Sequence, residues 1–148
     1  MSIGVLRGKF RVDPVIESGR CSLRLALVQK HETEDSCIQV GYYGVLQENR
    51  PNGMKDGDIV AMKIKARLLR KTTGSARLFA QHENTNWIIS SEDISGKEWK
   101  EYTVFQRMTG QPRKIQVGVW FLSEDPNEIL EIQHPRIYIE SPEGVFSK

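Results

Sequence analysis

The sequence predicts an all-β protein, a two-sheet antiparallel β-sandwich of jelly-roll type with about eight strands. Two observations support this fold class. Apolar and polar residues alternate with a period of two in several segments, and clusters of Gly, Pro, Asn and Asp separate those segments at the intervals typical of an all-β domain. The length of 148 residues suits a single domain over residues 1–148, and the chain shows no internal repeat and no linker.

The first half of the chain contains two candidate strands, a long polar loop and a third, strongly alternating strand. The first two strands lie at 21–28 and 37–46, the loop at 47–58 and the third strand at 59–71. The third strand reads as half-buried and antiparallel, because a helix would scatter its lysines around the circumference. One face of it carries Val60, Met62, Ile64, Ala66 and Leu68, and the other carries Ala61, Lys63, Lys65 and Arg67.

The second half continues the alternation of strands and turns. Residues 129–140 form one or two strands, because Pro135 favours either a sheet edge or a break. The other elements, in chain order, are strands at 76–83, 99–108 and 114–122, a segment at 84–98 that is mostly loop, and turns at 109–113 and 123–128.

Charge and hydropathy restrict the partners. The net charge is +2, from 21 basic and 19 acidic residues that are well mixed, so no basic run suggests nucleic acid as a partner. The apolar stretches fall far short of the ~20 residues that a membrane helix needs, so we expect no membrane insertion. The opening "MSIGVLRGKF" lacks the continuous apolar core of a secretory signal.

Cys21 and Cys37 are too few for a disulfide framework, and no C-x-x-C or His cluster suggests zinc. If their strands lie side by side, the two residues could form one disulfide. The alternative is two buried free thiols.

Five segments resemble a known family in their order along the chain. They are "SGRCSLRLAL", "MKDGDIVAMKIKAR", "SGKEWKEYTVFQ", "KIQVGVWF" and "HPRIYIESPEG". In this order they look like the galactose-binding-like jelly rolls found in carbohydrate-binding modules of glycanases and in phage tail and baseplate proteins. The resemblance covers about residues 15–144, and the final stretch is especially like the phage versions.

The resemblance implies a partner and a location. The expected partner is carbohydrate, with attachment to a larger parent protein or assembly into a homo-oligomer as further options. The expected location is extracellular or virion-associated.

Two positions bear on what the resemblance implies. Many members of the family carry an Asp in the last strand that helps to hold a structural calcium ion. Here that strand reads "RIYIES", with Glu140 as its carboxylate, so a calcium site stays open and no other cofactor is expected. Trp99 opens a late strand, and the family implies that it packs at the sandwich edge in a structural role.

A sugar site needs an exposed aromatic platform and polar groups that hydrogen-bond hydroxyls. Parity in "KIQVGVWF" places Trp120 and Gln116 on the polar face, opposite the apolar residues Ile115, Val117, Val119 and Phe121. Trp120 is therefore a candidate platform. The alternative is that Trp120 packs under a loop or an N-terminal extension.

Further candidates follow from the same parity. Arg77, Phe79 and Gln81 share one face of their strand, and the resemblance implies that this strand lies beside that of Gln116. Tyr43 is a candidate from another strand. Trp87, in a polar loop, either binds a ligand at the rim or anchors the loop.

Lys63, Lys65 and Arg67 form a basic row that could meet an acidic polysaccharide. A solvated outer face explains the row equally well.

Catalysis has little support in the sequence. No G-x-S-x-G, H-E-x-x-H or Gly-rich phosphate loop occurs. Glu124, Asp125 and Glu128 lie in an apparent surface turn, where we expect them to be solvated.

The sequence therefore predicts a non-catalytic carbohydrate-binding module that recognises a poly- or oligosaccharide. The alternative is a structural or assembly domain of a phage tail, baseplate or similar multi-subunit complex.

Overall fold

The computed structural model describes residues 2–45, 56–69, 75–82, 89–108, 114–133 and 135–140. These residues form eleven strands in two antiparallel sheets, which confirms the all-β sandwich. The strands are β1 (Ser2–Arg7), β2 (Lys9–Glu17), β3 (Arg20–Gln29), β4 (Ser36–Val45), β5 (Ile59–Leu68), β6 (Ser75–His82), β7 (Ile89–Ser90), β8 (Lys100–Arg107), β9 (Lys114–Ser123), β10 (Ile129–Gln133) and β11 (Arg136–Glu140).

The first sheet has the order β1-β4-β9-β6-β7, so β9 lies at its centre between two long strands. In the second sheet β5 pairs with β8 along one edge. Along its other edge β5 pairs first with β11, through residues 59–63, and then with β10, through residues 66–68. β10 continues this sheet to β3 and β2. Within the described residues, no helix is long and apolar enough to cross a membrane.

The core lies between the two sheets and consists of the apolar members of the alternating strands. From the second sheet it takes Leu25, Val60, Met62, Ile64, Ala66, Leu68, Tyr102, Val104, Leu130 and Ile132, and from the first sheet Ile38, Val40, Ala76, Leu78, Ala80, Val117, Val119 and Phe121. Because alternate residues of a strand point to opposite faces, burial of this set turns the intervening residues outward.

The N-terminal segment differs from the prediction of about eight strands, because β1 and β2 both form before residue 18. Gly8 joins them with a φ of 81°, and a Cβ there would lie 2.9 Å from the Ser36 Cβ, so the turn requires glycine. Pro14 lies in β2, which ends its sheet, and an edge strand tolerates the missing N–H. Pro135 falls between β10 and β11, so residues 129–140 form two strands.

The two cysteines are free, and the disulfide alternative is wrong. Cys21 lies in β3 and Cys37 in β4, which belong to different sheets, so their strands are not side by side. The alternative of two buried free thiols is right for Cys37, which is buried. It is wrong for Cys21, which is exposed.

Candidate functional site

The outward positions of β4, β9 and β6 bring the predicted site residues together. We call this surface the β9 face, and the register defines it as three rows that run across the three strands. The rows are Gln39–Trp120–Arg77, Gly41–Gly118–Phe79 and Tyr43–Gln116–Gln81.

Parity on each strand produces this face. Val117, Val119 and Phe121 are buried in the core, so Gln116, Gly118 and Trp120 point outward. On β6 the alternate residues Ala76, Leu78 and Ala80 are buried in the core, so Arg77 and Phe79 point to the opposite face. The prediction that β6 and β9 are neighbouring strands is confirmed, because Gln81 lies directly opposite Gln116 and Arg77 directly opposite Trp120. Gln116, Trp120, Arg77 and Gln81 are all partly buried.

Trp120 is held by two contacts on the β9 face. Its indole Nε1–H donates a hydrogen bond to Gln39 Oε1 at 2.9 Å. The Phe79 ring stacks on the indole with centroids 4.5 Å apart and an interplanar angle of 12°. These contacts fix the orientation of the ring, as a binding platform requires. Because Phe79 covers one side of the indole, a ligand has to approach from another.

The middle row of the β9 face has no side chain on two of its three strands. Gly41 and Gly118 are direct partners across β4 and β9. Phe79 reaches toward this space, since its Cε1 would lie 3.1 Å from a Cβ on Gly118, and only 1% of Phe79 is exposed. The absence of a side chain at Gly118 therefore leaves room for the Phe79 ring between the row of Trp120 and the row of Gln116.

Arg77 has an ion-pair partner from the segment after β7. Its NH2 atom lies 3.2 Å from Asp93 Oδ1, and 41% of the Arg77 side chain is exposed. The guanidinium thus combines a fixed position with access to solvent. Arginine suits hydroxyl recognition because it presents several N–H donors in a planar fork.

Sequence reasoning missed Gln39, Asp93 and the glycine pair as parts of this face. Gln39 carried a usable signal, since it alternates with the core residues Ile38 and Val40. Asp93 and the glycines carried none, because their roles depend on which strands are neighbours. Phe79 was assigned to the correct face, but its burial there requires the space above Gly118.

For several other predicted residues the side chain lies outside the described residues. The backbone register places Tyr43 opposite Gln116, but its side chain is outside the described residues, as are Trp87 and the Glu140 side chain. Trp99 is partly buried, and the Arg67 guanidinium lies 4.6 Å from its ring centroid.

The expectation that the 123–128 turn is solvated is wrong for Glu128, whose exposed fraction is 0%. Ser123 Oγ donates a hydrogen bond to Glu128 Oε1 at 3.1 Å, and Glu124 Oε1 accepts one from the Ser36 N–H at 2.9 Å. These carboxylates are therefore engaged in holding the turn against the first sheet. Among the described residues, no group of three or more His, Cys, Asp or Glu is placed to hold a metal ion.

Comparisons with known proteins show similarity in structure but not in sequence. No protein-family model matches the chain, and no curated protein matches its sequence.

Several solved structures have similar folds, among them a phage tailspike domain and two carbohydrate-binding modules. The enzymatically active domain of tailspike protein 4 from bacteriophage CBA120 gives a TM-score of 0.64 at 11% identity, over 94% of this chain and 19% of the tailspike chain. A CBM61 module in complex with β-1,4-galactotriose gives 0.61 at 12% identity, over 94% of this chain and 88% of the module. The CBM22-1 xylan-binding domain of Xyn10C from Paenibacillus barcinonensis gives a TM-score of 0.56 at 13% identity, over 94% of this chain and 86% of that domain.

Identities this low establish the fold alone. The chain spans about a fifth of the solved tailspike chain but nearly the whole of each module. The protein therefore has the galactose-binding-like jelly-roll fold that occurs in carbohydrate-binding modules and in a phage tailspike.

Proposed function

We propose that the protein is a non-catalytic carbohydrate-binding module and that the β9 face is its binding site. The observation that carries the proposal is the convergence of one aromatic and three polar side chains on a single sheet face. Trp120, Gln116, Arg77 and Gln81 come from two strands that the sequence separates by a long interval. The shared fold with carbohydrate-binding modules supports it.

The chemistry of a sugar ring matches this arrangement. A sugar presents an apolar C–H face, which would stack on the accessible part of the Trp120 indole. Its hydroxyls would accept from the Arg77 guanidinium and would exchange hydrogen bonds with the amides of Gln81 and Gln116, which both donate and accept. Tyr43 and Trp87 remain secondary candidates.

A single shallow face binds weakly, so useful affinity would come from repeated copies or from attachment to a larger protein. The parent protein would act outside the cell or on a virion, where polysaccharides are met. Binding, rather than bond cleavage, is the role proposed.

The test is a glycan-array screen followed by titration calorimetry on the best neutral oligosaccharide. Trp120→Ala should lower the affinity by at least about tenfold while the folded β-sheet signal in circular dichroism is retained. Ile16→Ala, which truncates an exposed apolar side chain on β2, is the control and should bind as the unmodified protein does. A folded Trp120→Ala protein with unchanged affinity would remove the β9 face as the site.

A second candidate function is assembly into a phage tail or similar complex. Exposed apolar residues occur along β1 and at the end of β2, where each strand ends its sheet, and they include Ile3, Val5, Leu6 and Ile16. Exposed apolar patches of this kind often mark protein interfaces. Light scattering after gel filtration discriminates the two functions: a tight trimer or hexamer favours assembly, and a monomer favours the appended module.

A further inference from the structure

Two strands lie along the same edge of β5. β10 pairs with residues 66–68 of β5, and β11 pairs with residues 59–63. Ile64 and Lys65 lie between these two paired stretches of β5.

A pocket of about 220 Å³ opens beside this part of β5. Three cationic side chains and a single carboxylate line it, together with one amide and one apolar residue. The lining residues are Lys63, Ile64, Lys65, Glu101, Gln133 and Arg136. The pocket thus carries a local surplus of positive charge on a protein whose charges are otherwise nearly balanced.

The surplus is built into the register. Lys63 and Arg136 are direct partners across β5 and β11, and like charges in that position destabilise a sheet. Glu101, from β8, pairs with Arg136 at 3.0 Å between its Oε2 and the NH2 atom. The single carboxylate of the pocket lining is therefore engaged by Arg136.

Arg67 shows the contrast on the same strand face. Its guanidinium is bound to the buried Glu131 carboxylate, with Nε 2.7 Å from Oε1, and lies against the Trp99 ring. The basic row of the sequence therefore divides into a structural member, Arg67, and two members that line the pocket, Lys63 and Lys65.

We infer that this pocket binds the carboxylate or sulfate group of an acidic saccharide. Both groups are compact oxyanions that accept charge-assisted hydrogen bonds from ammonium and guanidinium groups. The volume lies below the roughly 300 Å³ at which sites for drug-sized ligands begin, so it fits one charged substituent rather than several sugar rings. The saccharide part of the inference rests on the proposed function, whereas the anion-binding part rests on the pocket alone.

An exposed aromatic side chain lies beside the pocket. Phe105 of β8 is opposite Ala61, on the face that also carries Lys63, and 52% of it is exposed. Diagonal neighbours on adjacent strands are within reach of long and aromatic side chains. A sugar ring whose charged substituent enters the pocket would therefore have an apolar surface against which to pack.

The experiment is an NMR titration of the ¹⁵N-labelled full chain with four probes. They are trigalacturonate, a sulfated galactan trisaccharide, neutral galactotriose and inorganic sulfate. We expect saturable shifts of the Ile64 and Lys65 amides with an acidic saccharide and none with the neutral one. Whichever acidic saccharide binds identifies the group as a uronate or a sulfate ester.

Charge-matched variants make the test specific. Lys65→Gln should weaken binding of the acidic saccharide about tenfold, because it removes one charge-assisted hydrogen bond. Lys30→Gln removes the same charge from an exposed position outside the pocket and should change the affinity less than about twofold. Trp120→Ala should leave the amide shifts at the pocket unchanged, which separates this site from the β9 face.

Three outcomes would overturn the inference. Equal effects of Lys65→Gln and Lys30→Gln would reduce it to non-specific charge attraction. Binding of inorganic sulfate without either acidic saccharide would refute the saccharide assignment. Absence of saturable shifts at the pocket with every anionic probe would refute the site, whatever the neutral saccharide does at the β9 face.

Discussion

Gly41 and Gly118 face each other across β4 and β9 so closely that neither position has room for a side chain. A Cβ on Gly118 would lie 2.5 Å from the Val40 carbonyl oxygen and 2.9 Å from the Gly41 Cα. Both obstacles are backbone atoms, which cannot rotate away. Glycine in a strand interior is otherwise unfavourable, so its presence here marks a close backbone approach at the centre of the β9 face.

Gly118→Ala should therefore destabilise the protein by about 1–3 kcal/mol, the usual cost of overpacking. Urea unfolding followed by tryptophan fluorescence measures the change. Gly4→Ala on β1 is the control, because a Cβ at Gly4 meets nothing within 4 Å. Equal unfolding midpoints for the two variants would contradict the steric argument.

Gln39→Ala should weaken neutral-saccharide binding several-fold, because the Trp120 indole N–H loses the acceptor that orients the ring. The loss of the hydrogen bond should also cost about 1 kcal/mol of stability. Calorimetric titration of the saccharide measures the first effect. Gln39→Glu retains a side-chain oxygen as acceptor and should restore most of the affinity, an outcome that general loosening of β4 would not produce.

Glu131 lies in β10 between two arginines, and its side chain is fully buried. Arg24 donates from Nε to Oε2 at 3.0 Å, and Arg67 donates from Nε to Oε1 at 2.7 Å. Removal of Glu131 takes the buried carboxylate away from two partly buried arginines, so Glu131→Ala should cost about 3–5 kcal/mol, the cost of breaking a buried ion pair.

The control for Glu131 is Glu92→Ala. Its carboxylate pairs with Lys100 at 3.1 Å, but both side chains are more than half exposed, so its loss should cost about 0–1 kcal/mol. Thermal and urea unfolding of the two variants would show whether burial sets the difference. Similar losses of stability in the two variants would mean that burial does not make the Glu131 ion pairs more costly to remove.

Burial raises the pKa of the Cys37 thiol above its ordinary value of 9.0, and the nearby Arg7 charge opposes part of this effect. The folded state therefore holds the thiol proton more tightly than the unfolded state does. The resulting stabilisation is present below about pH 9 and is lost as the pH rises through the folded-state pKa.

The stability difference between the unmodified protein and Cys37→Ala should accordingly shrink between pH 8 and about pH 10. Urea unfolding at the two pH values measures it. If the stability difference between the unmodified protein and Cys37→Ala grows with pH, the assigned direction of the pKa shift is wrong.

Much of the β9 face was predictable because period-two alternation is visible in the chain. Trp120, Gln116, Arg77 and Gln81 were assigned to outward positions, and the register brings all four together. Glu128 shows the limit of this reasoning. A turn rich in charge reads as solvated, yet Glu128 is buried because Ser123 and the first sheet provide a polar partner that only the fold supplies.

The sequence by itself determined which side chains point into the core and which point outward, since that follows from the local geometry of an extended strand. Only the tertiary structure decided which strands are neighbours, because sheet pairing joins distant segments. It placed Gln39 against Trp120, 81 residues away, and Arg24 against Glu131, 107 residues away. It also separated Cys21 from Cys37 by assigning β3 and β4 to different sheets, although only a short stretch of chain lies between them.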